Sequence, residues 1–188
     1  MDLVLFGIQG SGKGTQAKRL AAEFGFDLFE AGGELRKIAA SGSELGVTVK
    51  SYIDAGNLVP HEIIMRVVKE AIGARPTGRR ILFDGIPRDA AQQKDFDAIM
   101  VNVGRPFIVV HLLLDREEGV TRILGRAKQE GRADDADQSI IKKRMDTFFQ
   151  KTLPVIEDYK SRGLVREVDG GRDMDAVYAD LRAIVVGA

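Results

Sequence analysis

Leu3-Val4-Leu5-Phe6-Gly7-Ile8-Gln9-Gly10-Ser11-Gly12-Lys13-Gly14-Thr15-Gln16-Ala17 joins an apolar run to a glycine-rich turn and the start of a helical pattern. Leu3 to Phe6 reads as a buried strand, and from Gln16 onward Ala17, Leu20, Ala21 and Phe24 follow helical spacing. The same alternation recurs down the chain. Ile63, Ile64, Val67, Val68 and Ala71 make a second helical stripe, ended by Gly73 and Pro76. Arg80 to Phe83 is a short strand, Phe96, Ile99 and Met100 mark a helix, and Phe107 to Leu114 is the longest apolar run. That run fits a central strand buried on both faces. Val120, Ile123 and Leu124 share one helical face, and Met145, Phe148, Phe149, Thr152 and Ile156 form the inner side of a long helix despite Pro154. Leu164 to Val168 and then Met174, Val177, Leu181 and Ile184 supply a last strand and a last helix. Asp27 to Phe29 is a weaker strand signal, and Ala40 to Pro60 carries no clear pattern. Strands alternating with helices predict an α/β fold, a mainly parallel sheet covered by helices on both faces.

Composition limits what such a fold can do. With 188 residues the chain can bury one core but has little room for a second independent domain. Its 28 Lys and Arg balance 28 Asp and Glu, so no long-range field draws nucleic acid or an anionic membrane. Any anion must be held by a local cluster of charge. There is no cysteine, which excludes disulfides, thiolate metal sites and cysteine nucleophiles. The apolar start is too short to span a membrane and no signal peptide precedes it, so a cytoplasmic protein is expected. His61 and His111 are the only histidines, and His111 falls inside the longest apolar run, which argues against catalytic or metal roles.

The turn after the first strand carries chemistry. Gly7 to Thr15 is close to the Walker pattern, with Gly14 where Ser or Thr usually follows the lysine and Thr15 one place later. Gly10, Ser11, Gly12 and Gly14 are small enough for consecutive backbone N–H groups to turn toward one anion. The helix amino terminus adds partial positive charge, and Lys13 can bridge β- and γ-phosphates. Thr15 offers a hydroxyl near a phosphate or the Mg2+ shell. A turn that merely connects strand to helix can also hold three glycines, but it does not require Lys13 and Thr15, and neither does a dinucleotide site.

A second cluster follows the Arg80–Phe83 strand. Asp84 would sit at the carboxyl edge of the sheet, where open α/β proteins place ligands, and could orient water around Mg2+. Gly85 and Pro87 shape a turn that presents Arg88, whose planar donors suit two phosphate oxygens. Asp84 as a helix cap and Arg88 as a solvated surface residue is the competing reading. Arg36, Arg122, Arg126, Arg132 and Arg144 are further candidates for phosphate contact, although each, taken singly, reads more readily as a surface arginine or salt bridge.

Together these motifs resemble the adenylate kinases and the wider nucleoside monophosphate kinase family over nearly the whole chain. Gly7 to Gln16 is similar to the family loop apart from Gln9, where proline is common. Asp84-Gly85-Ile86-Pro87-Arg88 resembles the Asp-Gly-Phe-Pro-Arg signature, Gly131-Arg132-Ala133-Asp134-Asp135 the segment closing the lid, and Lys142-Lys143-Arg144 follows as in the family. The resemblance implies a five-stranded parallel sheet of the P-loop type within a single domain. Its core would be 1–29, 60–125 and 136–188, with an NMP-binding insertion at 30–59 and a short lid at 126–135. It also implies Mg2+-dependent, reversible transfer of the terminal phosphoryl group of ATP to AMP, giving two ADP. Lys13, Arg88, Arg132 and Arg144 would be catalytic, and Arg122 would pack near the ATP base with Arg126 on its phosphates. Arg36 and Arg88 would hold the acceptor phosphate, Gln92 would read the base of AMP, and Ala31, Gly32, Gly85 and the backbone of Asn57, Leu58 and Val59 would complete that pocket. Thr15 and Asp84 would arrange Mg2+ through its water, with Asp134 and Asp135 as organisers of lid and hinge. The short lid implies no zinc, and a monomer is the family default.

Two departures fall in the acceptor site. Family members usually carry Thr-Gly-Asp at 31–33, where this chain has Ala31-Gly32-Gly33. Ala31 removes a hydroxyl near the base, as in UMP/CMP kinases, whereas Gln92 is like adenylate kinases. Gly33 removes a carboxylate linked to the Mg2+ water network, and Glu34 would point elsewhere on the helix. A UMP/CMP kinase, or a nucleotide-regulated binding module with weak or no transfer, stays open at this point, though Arg36 and Arg88 argue against the module.

Overall fold

A computed structural model describes residues 1–76, 78–130 and 137–187, with the backbone alone over 126–130. Five strands, β1 (Asp2–Gly7), β2 (Asp27–Glu30), β3 (Ile81–Asp84), β4 (Phe107–Leu113) and β5 (Val165–Asp169), form one parallel sheet in the order β2-β3-β1-β4-β5. The predicted α/β class and five-stranded parallel sheet are therefore present, and the weak Asp27–Phe29 signal is a real edge strand. β1 rather than β4 is the central strand. β4 is next to the edge between β1 and β5, and its last residue Leu113 is 40% exposed.

Strand alternation sends neighbouring residues to opposite faces, and each face has its own core. Val4, Phe6, Ile81, Phe83 and Val109 point to the side covered by α4 (His61–Gly73), α5 (Ala90–Asn102) and α8 (Leu153–Ser161). Leu3, Leu5, Leu82, Val110, Leu112 and Val168 point to the side covered by α1 (Lys13–Phe24) and α9 (Met174–Val186). Phe83 and Phe96 meet edge to face with centroids 5.1 Å apart. Fully burying a side chain of that size is worth roughly 1.5–3 kcal/mol. The amino-terminal edge of the sheet is tied by Asp2, whose carboxylate accepts two hydrogen bonds from Arg105 at 2.6 and 2.8 Å and one from the Ile81 amide at 2.8 Å.

Between β2 and β3 the chain makes an excursion through α2 (Ala31–Ala39) and α3 (Glu44–Asp54), which pack on each other, before α4 returns to the sheet. α3 begins at Ser43, whose hydroxyl accepts from the Gly46 amide at 3.0 Å. α6 (Arg116–Glu130) runs unbroken through 126–130, and α7 (Gln138–Thr147) follows. Lys143 on α7 donates to the Ala55 carbonyl at 3.0 Å, so the excursion rests on α7.

α7 and α8 are joined by a π-helical turn, Phe148–Thr152, just ahead of Pro154. Proline has no N–H to give to the residue four back, and the wider turn absorbs that loss. The turn also re-aims side chains. Thr152 is buried as expected, but Phe149, expected on the inner side, is 37% exposed and stacks edge to face on Phe148 with Arg116 over its ring. Met174, expected on the inner face of the last helix, is its first residue and 57% exposed. Among the described residues no helix is long and apolar enough to cross a membrane.

Candidate active site

The carboxyl ends of β1, β3 and β2 open onto one cleft of about 280 Å³. On one wall is the turn between β1 and α1. Gly10 takes a positive φ of 84°, and a Cβ there would lie 2.5 Å from the Gly119 carbonyl oxygen on α6. Only glycine satisfies both demands. Gly119 in turn presses on Ile8 and Gln9, with room for no side chain of its own. α1 starts at Gly12 without a side-chain cap and without an acidic residue in its first turn. Its first amides therefore face the cleft with the positive end of the helix dipole behind them. Lys13 reaches back over the turn and donates to the Gly7 and Ile8 carbonyls at 2.7 and 2.9 Å. Lys13, Gly14 and Thr15 line the cleft, whereas Ser11 is buried and does not.

The opposite wall carries the arginines. Gly85 adopts φ 84°, and a Cβ at that position would come within 2.8 Å of the Arg88 guanidinium. Arg88 is held on three sides: Nε donates to the Gly85 carbonyl, its amide to Gln92 Oε1, and its own carbonyl accepts from the Thr152 hydroxyl, each at 2.8 Å. Burial pushes the Arg88 guanidinium below its ordinary range, Arg144 pushes the same way, Asp84 pulls it back, and Arg36 lowers it further. Arginine stays charged regardless. Like charges thus meet on one wall of the cleft, where a phosphate would be attracted. Arg36, Arg88 and Arg144 come from α2, the turn after β3, and α7, and all three line the cleft together with Ala31, Gly32, Gln92 and the Asn57–Val59 segment.

Carboxylates stand between the walls. Asp84 is the register partner of Leu5 in β1 and of Glu30 in β2. Asp84 Oδ2 and Glu30 Oε1 each lie 3.8 Å from the point a Cβ on Gly14 would occupy. Glu34, as expected, points away and pairs with Lys37 at 2.8 Å. Glu30 was not singled out from the sequence. Its signal is the β2–β3 register, which no local motif carries.

Arg122 is not part of the shared cleft. Its guanidinium donates to the Gly170 and Gly171 carbonyls at 2.9 and 3.2 Å and to Glu118, which fixes it at the junction of α6 and the β5–α9 loop. The Arg126 side chain, Arg132, Asp134 and Asp135 lie outside the described residues. Among the described residues no group of three or more His, Asp or Glu is placed to hold a metal by itself.

A family model for adenylate kinase matches residues 5–164. The adenylate kinase of Nocardioides sp. is 42% identical over 180 residues, covering 95% of this chain and 94% of that protein. The adenylate kinase of Stenotrophomonas maltophilia (strain R551-3) is 38% identical over 188 residues, the full length of both. That of Phocaeicola vulgatus is 36% identical over 186 residues, 98% of each.

Proposed function

The chain belongs to the adenylate kinase family, and we propose that the cleft between the Lys13 turn and the Arg36–Arg88–Arg144 cluster carries the family's reaction in this protein. That reaction is the reversible transfer of the terminal phosphoryl group of ATP to AMP, yielding two ADP. An α-phosphate oxygen of AMP forms the new bond to the γ-phosphorus as the bond to the β–γ bridging oxygen breaks. The work left to the protein is alignment and charge stabilisation. The triphosphate lies along the first turn of α1, and Lys13 exchanges its carbonyl partners for β- and γ-phosphate oxygens. Arg88, Arg36 and Arg144 take the acceptor phosphate. Arg126 and Arg132, in the proposed short lid at 126–135, would add positive charge to the transferring group, Arg122 would back the donor base, and Gln92 with Gly32 and the Asn57–Val59 backbone would form the acceptor-base pocket. The single observation carrying this reading is that Arg36, Arg88 and Arg144, from three separate elements, line the same cleft as the Lys13 turn.

The donor set suits magnesium. That ion keeps most of its waters and binds through one or two carboxylates plus substrate phosphate rather than through a protein cage. Asp84, against the first turn of α1, and the Thr15 hydroxyl would hold it. Bound there, magnesium neutralises charge on the β- and γ-phosphates. A working monomer, the family default, is part of the same proposal. AMP is favoured as acceptor over UMP or CMP by the family membership and by Gln92 in the cleft lining. A structure with a diadenosine polyphosphate bridging both subsites tests the assignment. One adenosine should lie beyond the Lys13 turn and the other beside Gln92, with phosphates between Lys13 and Arg88, and any other placement refutes it.

A further inference from the structure

We propose that Glu30 is a positioning residue for the magnesium hydration shell, acting beside Asp84. The inference rests on the reading of the cleft as a magnesium–nucleotide site. Glu30 ends β2 directly beside Asp84 on β3, as parallel-register partners. Its Oε1 and the Asp84 Oδ2 converge on Gly14, in the turn of helix that follows Lys13. Two half-buried carboxylates facing the same spot repel one another, with the Arg88 guanidinium offsetting part of the charge on Asp84. A hydrated divalent cation over the first turn of α1 offsets both charges, and its waters donate to carboxylates at this range.

Gly33 explains why the Glu30 side chain can lie there. A Cβ on Gly33 would fall 3.3 Å from Glu30 Cβ and 3.9 Å from Glu30 Oε2. The volume that a side chain at position 33 would enter is thus the volume the Glu30 carboxylate already borders. A carboxylate launched from position 33 could replace one launched from position 30, and the two would crowd each other if both were present.

The test uses Mn2+ as probe, read by electron paramagnetic resonance in the ternary complex with a diadenosine polyphosphate. Glu30→Gln, which keeps shape and removes charge, should weaken Mn2+ binding roughly tenfold, the scale for losing an outer-shell partner of a metal. Adding Gly33→Asp to Glu30→Gln should recover most of that loss. Analogue affinity in excess chelator, and the melting temperature, should match the parent protein. Unchanged Mn2+ affinity in Glu30→Gln, or no recovery in a double variant that melts normally, overturns the role of Glu30 while leaving the cleft assignment intact. Failure of the parent protein to bind the analogue even without metal would instead overturn the cleft assignment. If Glu30→Gln does not fold, Glu30→Asp serves, since it keeps the charge on a shorter arm; Mn2+ affinity identical to the parent then also counts against the proposal.

Discussion

The Arg88 amide donates to Oε1 of Gln92 at 2.8 Å, and Gln92 is itself only 2% exposed, with its own amide capped by Asp89 at 2.9 Å. Gln92 therefore fixes the turn that presents Arg88. In the proposed assignment, base and phosphate recognition would share this one side chain.

This coupling predicts the effect of Gln92→Ala. The Arg88 amide would lose its acceptor in a half-buried site, a cost of about 1–3 kcal/mol, so kcat/KM for AMP should fall roughly tenfold or more. The KM for ATP should hardly change. Initial rates with each nucleotide varied in turn check this, and an equal rise in both KM values would contradict the coupling.

Lys13→Ala removes the cation that follows charge on the moving phosphates. Transfer should drop by at least about a hundredfold, the usual scale for such a group. The two hydrogen bonds Lys13 gives to Gly7 and Ile8 are partly solvated, so the fold should persist. Turnover and circular dichroism measured together decide it.

Asp2 carries a structural prediction. It is 3% exposed and satisfies Arg105 and the Ile81 amide at once. Asp2→Ala leaves the Arg105 guanidinium buried without its partner, a loss of about 3–5 kcal/mol in unfolding free energy. Urea unfolding of the variant measures it directly. The active-site residues lie at the other end of the strands, so kcat of the folded fraction should be retained.

His111 should make the fold acid-sensitive. Burial holds its imidazole below the usual range, with Lys13 and Lys160 adding to the effect and Glu167 and Glu157 opposing it. The unfolded chain takes up a proton as pH falls through about 6.5, while the folded chain resists. Stability is therefore full above that value and declines below it. Unfolding free energies at pH about 7.5 and about 5.5 should differ less in His111→Phe than in the parent protein. Equal differences would show that another group sets the slope.

How much of this was legible beforehand depended on whether the signal was local. The loop from Gly7 to Thr15 and the Asp84–Arg88 turn are contiguous, and strand, glycines and charged residue announce one another within a few positions. The strands read correctly for the same reason, since short apolar runs bounded by turns leave few alternatives. Central placement of Phe107–Leu114 did not follow from its length, because strand order depends on which crossovers the helices permit. Glu30 and Gly119 stayed hidden because their meaning lies in neighbours distant in sequence: Asp84 across a strand register, and Gly10 across a helix contact. Phe149 misled because the π-helical turn shifts the helical period at that point.

The most direct test of the account is kcat/KM for AMP in Arg88→Ala at saturating magnesium–ATP. If the guanidinium that lines the cleft with Arg144, Arg36 and Asp84 is the anchor of the acceptor phosphate, the value should fall by at least about a hundredfold, with ATP-analogue binding retained. A folded Arg88→Ala protein that phosphorylates AMP as efficiently as the parent would contradict the account.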